Sequence, residues 1–297
     1  MTLPSYTWVV FTVAAAATQT ARNAMQRGLT SKVGVAAASW ARFIFALPFA
    51  LAFLCVVLAF EAGHPVAHDG FAAWLLVGSL SQMAATATML LAMRERSFVT
   101  VIAYTKTEPL QVAAFSLIFL AEPLGNLGLL AVFLGTAGVM AMSWPRDGST
   151  ALDAHSAGWG IAAGAGFAMA AVGYRGAITH LDGVSFICAA TLILGATLCI
   201  QTTLSMVWLV VMNRAALRGL FAAWRESVPA GLAGAVASEL WFLAFALQTP
   251  AVVRTLGLVE VVFAQLVSWR LLRERISRLE IAGLALLGVA LVILLRR

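Results

Sequence analysis

Long apolar runs separated by short polar connections fill the chain from one end to the other. Ten of these runs have about the 20 residues that a helix needs to cross the hydrocarbon core of a bilayer. They cover residues 6–26, 34–60, 70–93, 98–121, 126–144, 157–179, 184–212, 227–247, 250–271 and 279–295. The pattern predicts an all-α membrane protein with ten transmembrane helices, numbered spans 1 to 10.

The composition fits that class and excludes several others. Hydrophobic residues make up 62% of the 297 positions and charged residues 11%, whereas soluble domains carry about 25% charged residues. The three cysteines lie inside apolar runs, and the four histidines lie at connections. Since phosphate-binding glycine loops and metal-binding histidine motifs are absent from the sequence, we expect no cofactor, no metal and no enzymatic activity.

The net charge of +6 comes from basic residues at the ends of the apolar runs. This position is typical of residues that orient helices in a membrane, so we expect no nucleic-acid partner. Twelve lysines and arginines hold or border the connections between spans 1–2, 3–4, 5–6, 7–8 and 9–10, against four on the opposite face. The positive-inside rule then predicts a multi-pass plasma (inner) membrane protein with both termini outside the cytoplasm.

The two halves of the chain show signs of a common origin. A shift of 152 residues lays Glu108 on Glu260 and Glu122 on Glu274. We therefore predict two five-helix repeats, residues 1–148 and 149–297, joined through the polar connection at 145–155. Because each repeat has an odd number of spans, the two would be inverted in the membrane, around a central cavity that opens to each side in turn.

The stretch from Ala103 to Leu110 places charges in the middle of span 4. A charged residue at the centre of a membrane helix costs about 2.5–3.5 kcal/mol, so it normally faces a partner, a bundle interior or water. Pro109 adds a kink, because it cannot donate a hydrogen bond to the carbonyl of Thr105. Lys106 and Glu108 point in different directions on a regular helix. We assign Lys106 to solute contact and Glu108 to a supporting role, with the reverse left open.

Four other charged residues inside spans are candidates for the same site. Arg42 in span 2 either meets a solute anion, such as a carboxylate, or forms a structural ion pair with Glu108, Glu239 or Glu260. Glu239 and Glu260 either bind a proton or cation or neutralise Arg254 or Arg42. Arg254 and Glu260 are six residues apart, so they are not same-face neighbours on one helix.

Aromatic and amide side chains near these charges complete the predicted solute pocket. They are Trp40, Gln82, Tyr104, Tyr174 and Trp241. Tryptophans also form belts at membrane interfaces, which is the alternative for the two in this set.

Three motifs carry a resemblance to a known family. They are Tyr-Thr-Lys-Thr-Glu-Pro-Leu at 104–110, Leu-Ala-Glu-Pro-Leu at 120–124 and Arg-Glu-Arg at 273–275. With the ten spans, these motifs resemble the ten-helix EamA-type members of the drug/metabolite transporter superfamily. The resemblance implies secondary transport of amino acids, other metabolites or drugs through a central cavity. It also implies that Glu122 and Glu274 close a helical hairpin in each repeat.

The sequence thus leads to one hypothesis and several rivals. We expect a secondary transporter that exports amino acids or related amphipathic solutes by alternating access, with possible proton coupling, as a monomer or homodimer. Multidrug efflux by the same fold is the alternative. An intramembrane enzyme and a non-transporting membrane scaffold are rivals from other classes.

Overall fold

The computed structural model of the protein describes residues 6–95, 98–143, 154–267 and 277–296. Nearly all of this part of the chain is helical. The helices are α1 Thr7–Val33, α2 Val35–Ile44, α3 Leu47–Phe60, α4 Phe71–Glu95, α5 Phe98–Thr105, α6 Glu108–Leu120, α7 Asn126–Met142, α8 Ala154–Thr179, α9 Phe186–Met212, α10 Arg214–Ala222, α11 Trp224–Leu247, α12 Pro250–Gly257, α13 Val259–Val267 and α14 Arg278–Leu295. Two short strands, β1 Val66–Ala67 and β2 Leu181–Asp182, pair antiparallel.

In the described residues, each predicted apolar run coincides with helix, and three of the runs are interrupted. Span 2 is divided into α2 and α3, span 4 into α5 and α6, and span 9 into α12 and α13. Pro48 and Pro109 lie in the first turn of α3 and α6, where the missing backbone N–H breaks the preceding ladder of hydrogen bonds. The interruption at Leu258 contains no proline, and hydrogen bonds between residues three apart cross it.

Helix α10 was not predicted. It lies in the connection between spans 7 and 8 and begins at Asn213, whose side chain accepts a hydrogen bond from the backbone N–H of Ala216 at 3.0 Å. This is a common way to satisfy the free donors at a helix start. Its nine residues are too few to cross a bilayer.

Within the described residues, five helices are long and apolar enough to cross a membrane by length and composition. They are Ala37–Phe60, Ala157–Thr179, Phe186–Met212, Trp224–Leu247 and Arg278–Leu295. A further apolar helix, Asn126–Met142, is shorter. The described residues therefore form a protein of the all-α class, with helices of membrane-spanning type and one short strand pair.

The chain divides into two compact units, each of which combines parts of both sequence halves. Unit 1 comprises Met1–Leu80 with Gly173–Leu247, and unit 2 comprises Ser81–Val172 with Gln248–Arg297. The predicted boundary between residues 148 and 149 lies outside the described residues. A division by packing and a duplication in sequence are separate properties, so the repeats stay a prediction.

In unit 1, α1 packs along α11 and α3 packs along α9, while α2 contacts α1, α9 and α11. The core is rich in small residues, which lets helix backbones approach closely. Gly231 of α11 shows this, because a Cβ atom there would lie 2.5 Å from the backbone of Phe45. The β1–β2 pair joins the connection after α3 to the connection after α8.

In unit 2, α7 packs along α14, and α12 contacts α6, α7 and α14. The backbones of α7 and α14 meet at Gly138 and Gly283. Gly160 and Gly164 of α8 face the α5–α6 segment: a Cβ atom on Gly160 would lie 2.6 Å from the carbonyl oxygen of Val101. At these two glycines α8 packs closely against the α5–α6 segment.

Candidate functional site

Four charged side chains form two ion pairs in unit 2, and we call them the paired-charge cluster. Lys106 Nζ lies 2.5 Å from Glu260 Oε1. Arg254 Nε donates to Glu108 Oε1 at 2.7 Å, and Arg254 Nη2 lies 2.5 Å from the same oxygen in an ion pair. The four side chains are between 11% and 23% exposed, so two positive and two negative charges are largely removed from solvent.

Helix interruptions position this cluster. Lys106 lies in the break between α5 and α6, and Glu108 is the first residue of α6. Arg254 lies in the last turn of α12, and Glu260 lies in the first turn of α13. Both acids therefore sit at helix N-termini, where the helix dipole favours negative charge.

The break also explains how Lys106 and Glu108 reach one partner segment. On a continuous helix, residues two apart diverge by about 200°. Across the break, the backbone N–H of Lys106 bonds to Ala103 O at 3.1 Å and that of Thr107 bonds to Tyr104 O at 3.1 Å. These i→i+3 bonds change the local turn, and Lys106 and Glu108 both pair with residues of span 9.

Tyr104 and Pro109 lie beside the cluster in the same segment. Pro109 is buried as the second residue of α6. The Tyr104 Cβ atom would lie 2.6 Å from a Cβ atom placed on Gly160, so α8 passes directly against this residue. Gln82 belongs to the same unit, in α4, where its backbone carbonyl accepts a hydrogen bond from Thr86 at 2.8 Å.

Glu239 lies in unit 1, on α11. Its Oε1 atom is 2.5 Å from Thr191 Oγ1 on α9, and its Oε2 atom is buried without a hydrogen-bond partner. No cation of the described chain pairs with it. The sequence left two interpretations of Glu239: binding of a proton or cation, or neutralisation of Arg254 or Arg42. This structure does not show the second, because Glu239 forms no ion pair with either arginine.

Arg42 also lies in unit 1, near the end of α2, and is partly buried. Its guanidinium carbon lies 4.6 Å from the centroid of the Phe43 ring, in a cation–π arrangement. Its neighbours include another cation, because the Arg22 side chain and the Arg42 carbonyl both lie against Gly234 of α11. Among the described residues, no carboxylate forms an ion pair with Arg42.

The predicted aromatic residues of unit 1 occupy separate contacts. Trp241 Nε1 donates to Gln19 Oε1 at 3.1 Å. Trp40 is buried, packs 5.9 Å from Trp208 between ring centroids, and its Nε1 atom lacks a hydrogen-bond partner. Tyr174 is buried and stacks on Phe242 with a centroid distance of 4.4 Å.

Sequence reasoning missed two polar residues that bind the predicted ones. Gln201 of α9 is 1% exposed and donates to Tyr174 Oη at 3.3 Å and to Ser79 O at 3.2 Å. Lys106 was identified because a strongly polar side chain lies in the middle of an apolar span. The same argument would have identified Gln201. Thr191 gives no such signal, since threonine is ordinary in a membrane helix.

The site has no metal-binding character in the described part of the chain, where no group of three or more His, Cys, Asp or Glu side chains could hold an ion.

Comparison with known proteins identifies the fold. No family model matches the chain, and no curated protein matches it. One solved structure, described as "Crystal structure of protein", matches with a TM-score of 0.74 at 14% identity and covers 98% of each chain. At this identity the likeness shows a shared fold over nearly the whole length.

Proposed function

We propose that the protein is a secondary transporter that exports small amphipathic metabolites, such as amino acids, across a bacterial-type plasma membrane. The observation that carries this proposal is the paired-charge cluster at the interruptions of spans 4 and 9. Charges within a bilayer are costly and mark solute or ion pathways. Interrupted helices with polar groups at the break are a recurring way to build such a pathway.

Ten spans in two inverted repeats are part of the proposal. The interruptions support this organisation. Lys106 lies in the interruption of span 4 and Leu258 in that of span 9, and they are 152 residues apart, the same shift that relates Glu108 to Glu260. Helix pairing supports it as well. Under the repeat relationship, α1 (span 1) corresponds to α8 (span 6), and α11 (span 8) corresponds to α4 (span 3). The α1–α11 pair therefore has a counterpart in α8 and α4, and those helices meet at Gly173 and Gly78.

Exchanging the two repeats would leave two observed pairs in place. They are α3 with α9 and α7 with α14. Alternating access follows if the repeats rock so that the polar residues face each side of the membrane in turn.

The cationic groups favour a solute that carries a carboxylate. Arg42 cannot lose its charge under ordinary conditions, and no carboxylate of the described chain neutralises it. Lys106 would release the Glu260 carboxylate and pair with the solute anion instead. In unit 2, the apolar body of such a solute would meet Gln82 and Tyr104, which belong to the same unit as Lys106.

Membership of the ten-helix EamA-type group within the drug/metabolite transporter superfamily is likewise proposed. The residues of the motif at 104–110 support it, since they build the interruption and half of the paired-charge cluster. The distribution of basic residues supports an orientation with both termini outside the cytoplasm. A reporter that fluoresces only in the cytoplasm, fused after Arg297, tests this orientation, and bright cells would contradict it.

Transport is tested with purified protein in liposomes. We expect labelled amino acids to exchange across the membrane in counterflow, faster than in empty liposomes. Comparing the growth medium of cells with and without the protein by metabolomics identifies the solute to use. Absence of flux for every solute tested, under pH gradients of either direction, would overturn the transporter proposal. A scaffold would also tolerate neutral residues at the paired-charge cluster without any change in cell phenotype.

A further inference from the structure

Thr191 makes two close oxygen contacts but has one hydrogen to donate. Its Oγ1 atom lies 2.8 Å from the carbonyl oxygen of Ile187, one turn earlier in α9, and 2.5 Å from Glu239 Oε1 on α11. Both distances are in the range of O–H···O hydrogen bonds. A threonine hydroxyl carries one hydrogen, and a carbonyl oxygen carries none.

The second hydrogen must therefore come from Glu239. If Thr191 donates to Ile187, the contact to Glu239 is a hydrogen bond only when Oε1 carries a proton and donates to Oγ1. If Thr191 donated to a glutamate carboxylate instead, its oxygen would face the Ile187 oxygen at 2.8 Å with no hydrogen between them. The arrangement with a protonated Glu239 satisfies both contacts.

The surroundings of Glu239 also favour a protonated carboxyl group. Its Oε2 atom is buried and accepts no hydrogen bond. An ionised carboxylate in such a place has to be paired to avoid a large desolvation cost, whereas a neutral carboxyl group costs much less. Glu108 and Glu260 differ from Glu239, since both are paired with cations.

Charged groups on the helices around α11 bind elsewhere along it. The Arg22 side chain from α1 packs on Gly234, next to the carbonyl of Arg42 from α2. Arg175 of α8 donates to the carbonyl oxygens of Phe245 and Ala246, at the C-terminal end of α11. From α9, the residue that meets Glu239 is the neutral Thr191.

We propose that Glu239 is a proton-binding site, occupied in this conformation, and that this proton is the ion exchanged for solute. The coupling role rests on the proposed function. Release moves the proton from Oε1 to a water molecule when the other conformation hydrates the site, and leaves a carboxylate. Proton binding then favours the conformation in which Glu239 is buried, because a ligand stabilises the state that binds it better.

Infrared spectroscopy of the purified protein in lipid nanodiscs tests the proton directly. A protonated carboxyl group has a C=O stretching band that is separate from the carboxylate bands and shifts on exchange into D₂O. We expect this band at neutral pH in the wild type, its loss in Glu239→Gln, and its retention in Glu61→Gln, which changes an acid outside the spans. Thr191→Val should shift the band, because the carboxyl group loses its acceptor.

Two results would overturn the proton site. One is a wild-type spectrum without a protonated carboxyl band at neutral pH, and the other is a band that persists in Glu239→Gln. Should Glu239→Gln fail to fold, an unchanged band in Thr191→Val would overturn it equally. The infrared measurement uses no solute. A missing band would therefore contradict the proton site but not transport, and absent flux would contradict transport but not the proton site.

Coupling is tested in liposomes with the labelled amino acid that gives the fastest wild-type counterflow. We expect Glu239→Gln to retain counterflow, which needs no net proton movement, and to lose accumulation driven by a pH gradient. Accumulation at the wild-type level in Glu239→Gln would overturn the coupling role, and loss of counterflow in a folded variant would assign Glu239 to solute binding instead.

Discussion

Arg254 approaches a single carboxylate oxygen of Glu108 with two nitrogens: Nε donates a hydrogen bond at 2.7 Å, and Nη2 lies 2.5 Å away in an ion pair. The two residues are 20% and 11% exposed and lie on different interrupted spans. This pair ties the last turn of α12 to the first turn of α6. Because both groups are largely buried, each depends on the other for neutralisation.

Glu108→Gln should therefore destabilise the protein by about 3–5 kcal/mol, the usual cost of leaving a buried charge without its partner. The measurement is the midpoint of thermal unfolding in detergent. The double variant Glu108→Gln with Arg254→Gln is the control, because it removes both charges and should cost less than the single change. Equal unfolding midpoints for the wild type and Glu108→Gln would contradict a stabilising pair.

The pair between Lys106 and Glu260 should behave differently in transport. We expect Lys106→Gln and Glu260→Gln each to lower both stability and flux, because each removes one charge of a largely buried ion pair. The double variant should recover stability, since no unpaired charge remains. It should not recover flux, because the ammonium group that meets the solute anion is missing. Unfolding midpoints and counterflow rates are compared for the four proteins.

Wild-type flux in the stable double variant would show that Lys106 and Glu260 have a structural role alone. Lys106→Arg is the second control. It keeps the charge but changes the geometry of the donor, so it should keep stability better than flux.

In the part of the chain that the structure describes, each of the ten apolar runs coincides with helix, because length and hydrophobicity are local properties of the chain. Pro109 is local in the same sense, and it identified the interruption of span 4. Pro48 interrupts span 2 in the same way, and the same argument would have found it. The interruption at Leu258 has no proline, so nothing in its immediate sequence predicted it.

Which charged residues pair with each other depends on packing between residues about 150 positions apart. The spacing of residues along one helix does not determine that packing. Helix geometry predicted that Arg254 and Glu260 are not same-face neighbours, and the structure pairs Arg254 with Glu108 and Lys106 with Glu260. The hydrogen bond between Thr191 and Glu239 joins α9 to α11 and is equally invisible in the sequence. Charges within spans could thus be identified, but their partners could not.

The β1–β2 pair predicts a pH dependence in the connections of unit 1. Glu61 Oε2 accepts hydrogen bonds from the Ser185 hydroxyl at 2.5 Å and from the Ser185 N–H at 3.2 Å. The hydroxyl bond, helped by the N–H groups of Gly63 and Ser185, lowers the pKa of Glu61 below its ordinary value of 4.5. The stabilisation is therefore complete above the unfolded-state pKa and is lost as the pH falls through the lower folded-state value.

We expect the backbone N–H of His68, which donates to His180 O at 3.0 Å, to lose protection from hydrogen exchange over that acidic range. Rates are corrected for the intrinsic effect of pH on exchange. Glu61→Gln is the control, because its amide does not titrate, and its protection should change less over the same range. Identical pH profiles for the wild type and Glu61→Gln would contradict the prediction.

Two glycines of α14 should respond in opposite ways to the same substitution. A Cβ atom on Gly283 would lie 2.5 Å from Gly138 O and 2.5 Å from Met142 Cγ of α7, so Gly283→Ala forces the two helices apart. Such overpacking costs about 1–3 kcal/mol. A Cβ atom on Gly288 meets no described atom within 4 Å, and Gly288→Ala should leave stability unchanged or raise it, because alanine favours helix. Thermal unfolding of both variants measures the difference, and equal midpoints would show that α7 and α14 do not meet through Gly138 and Gly283.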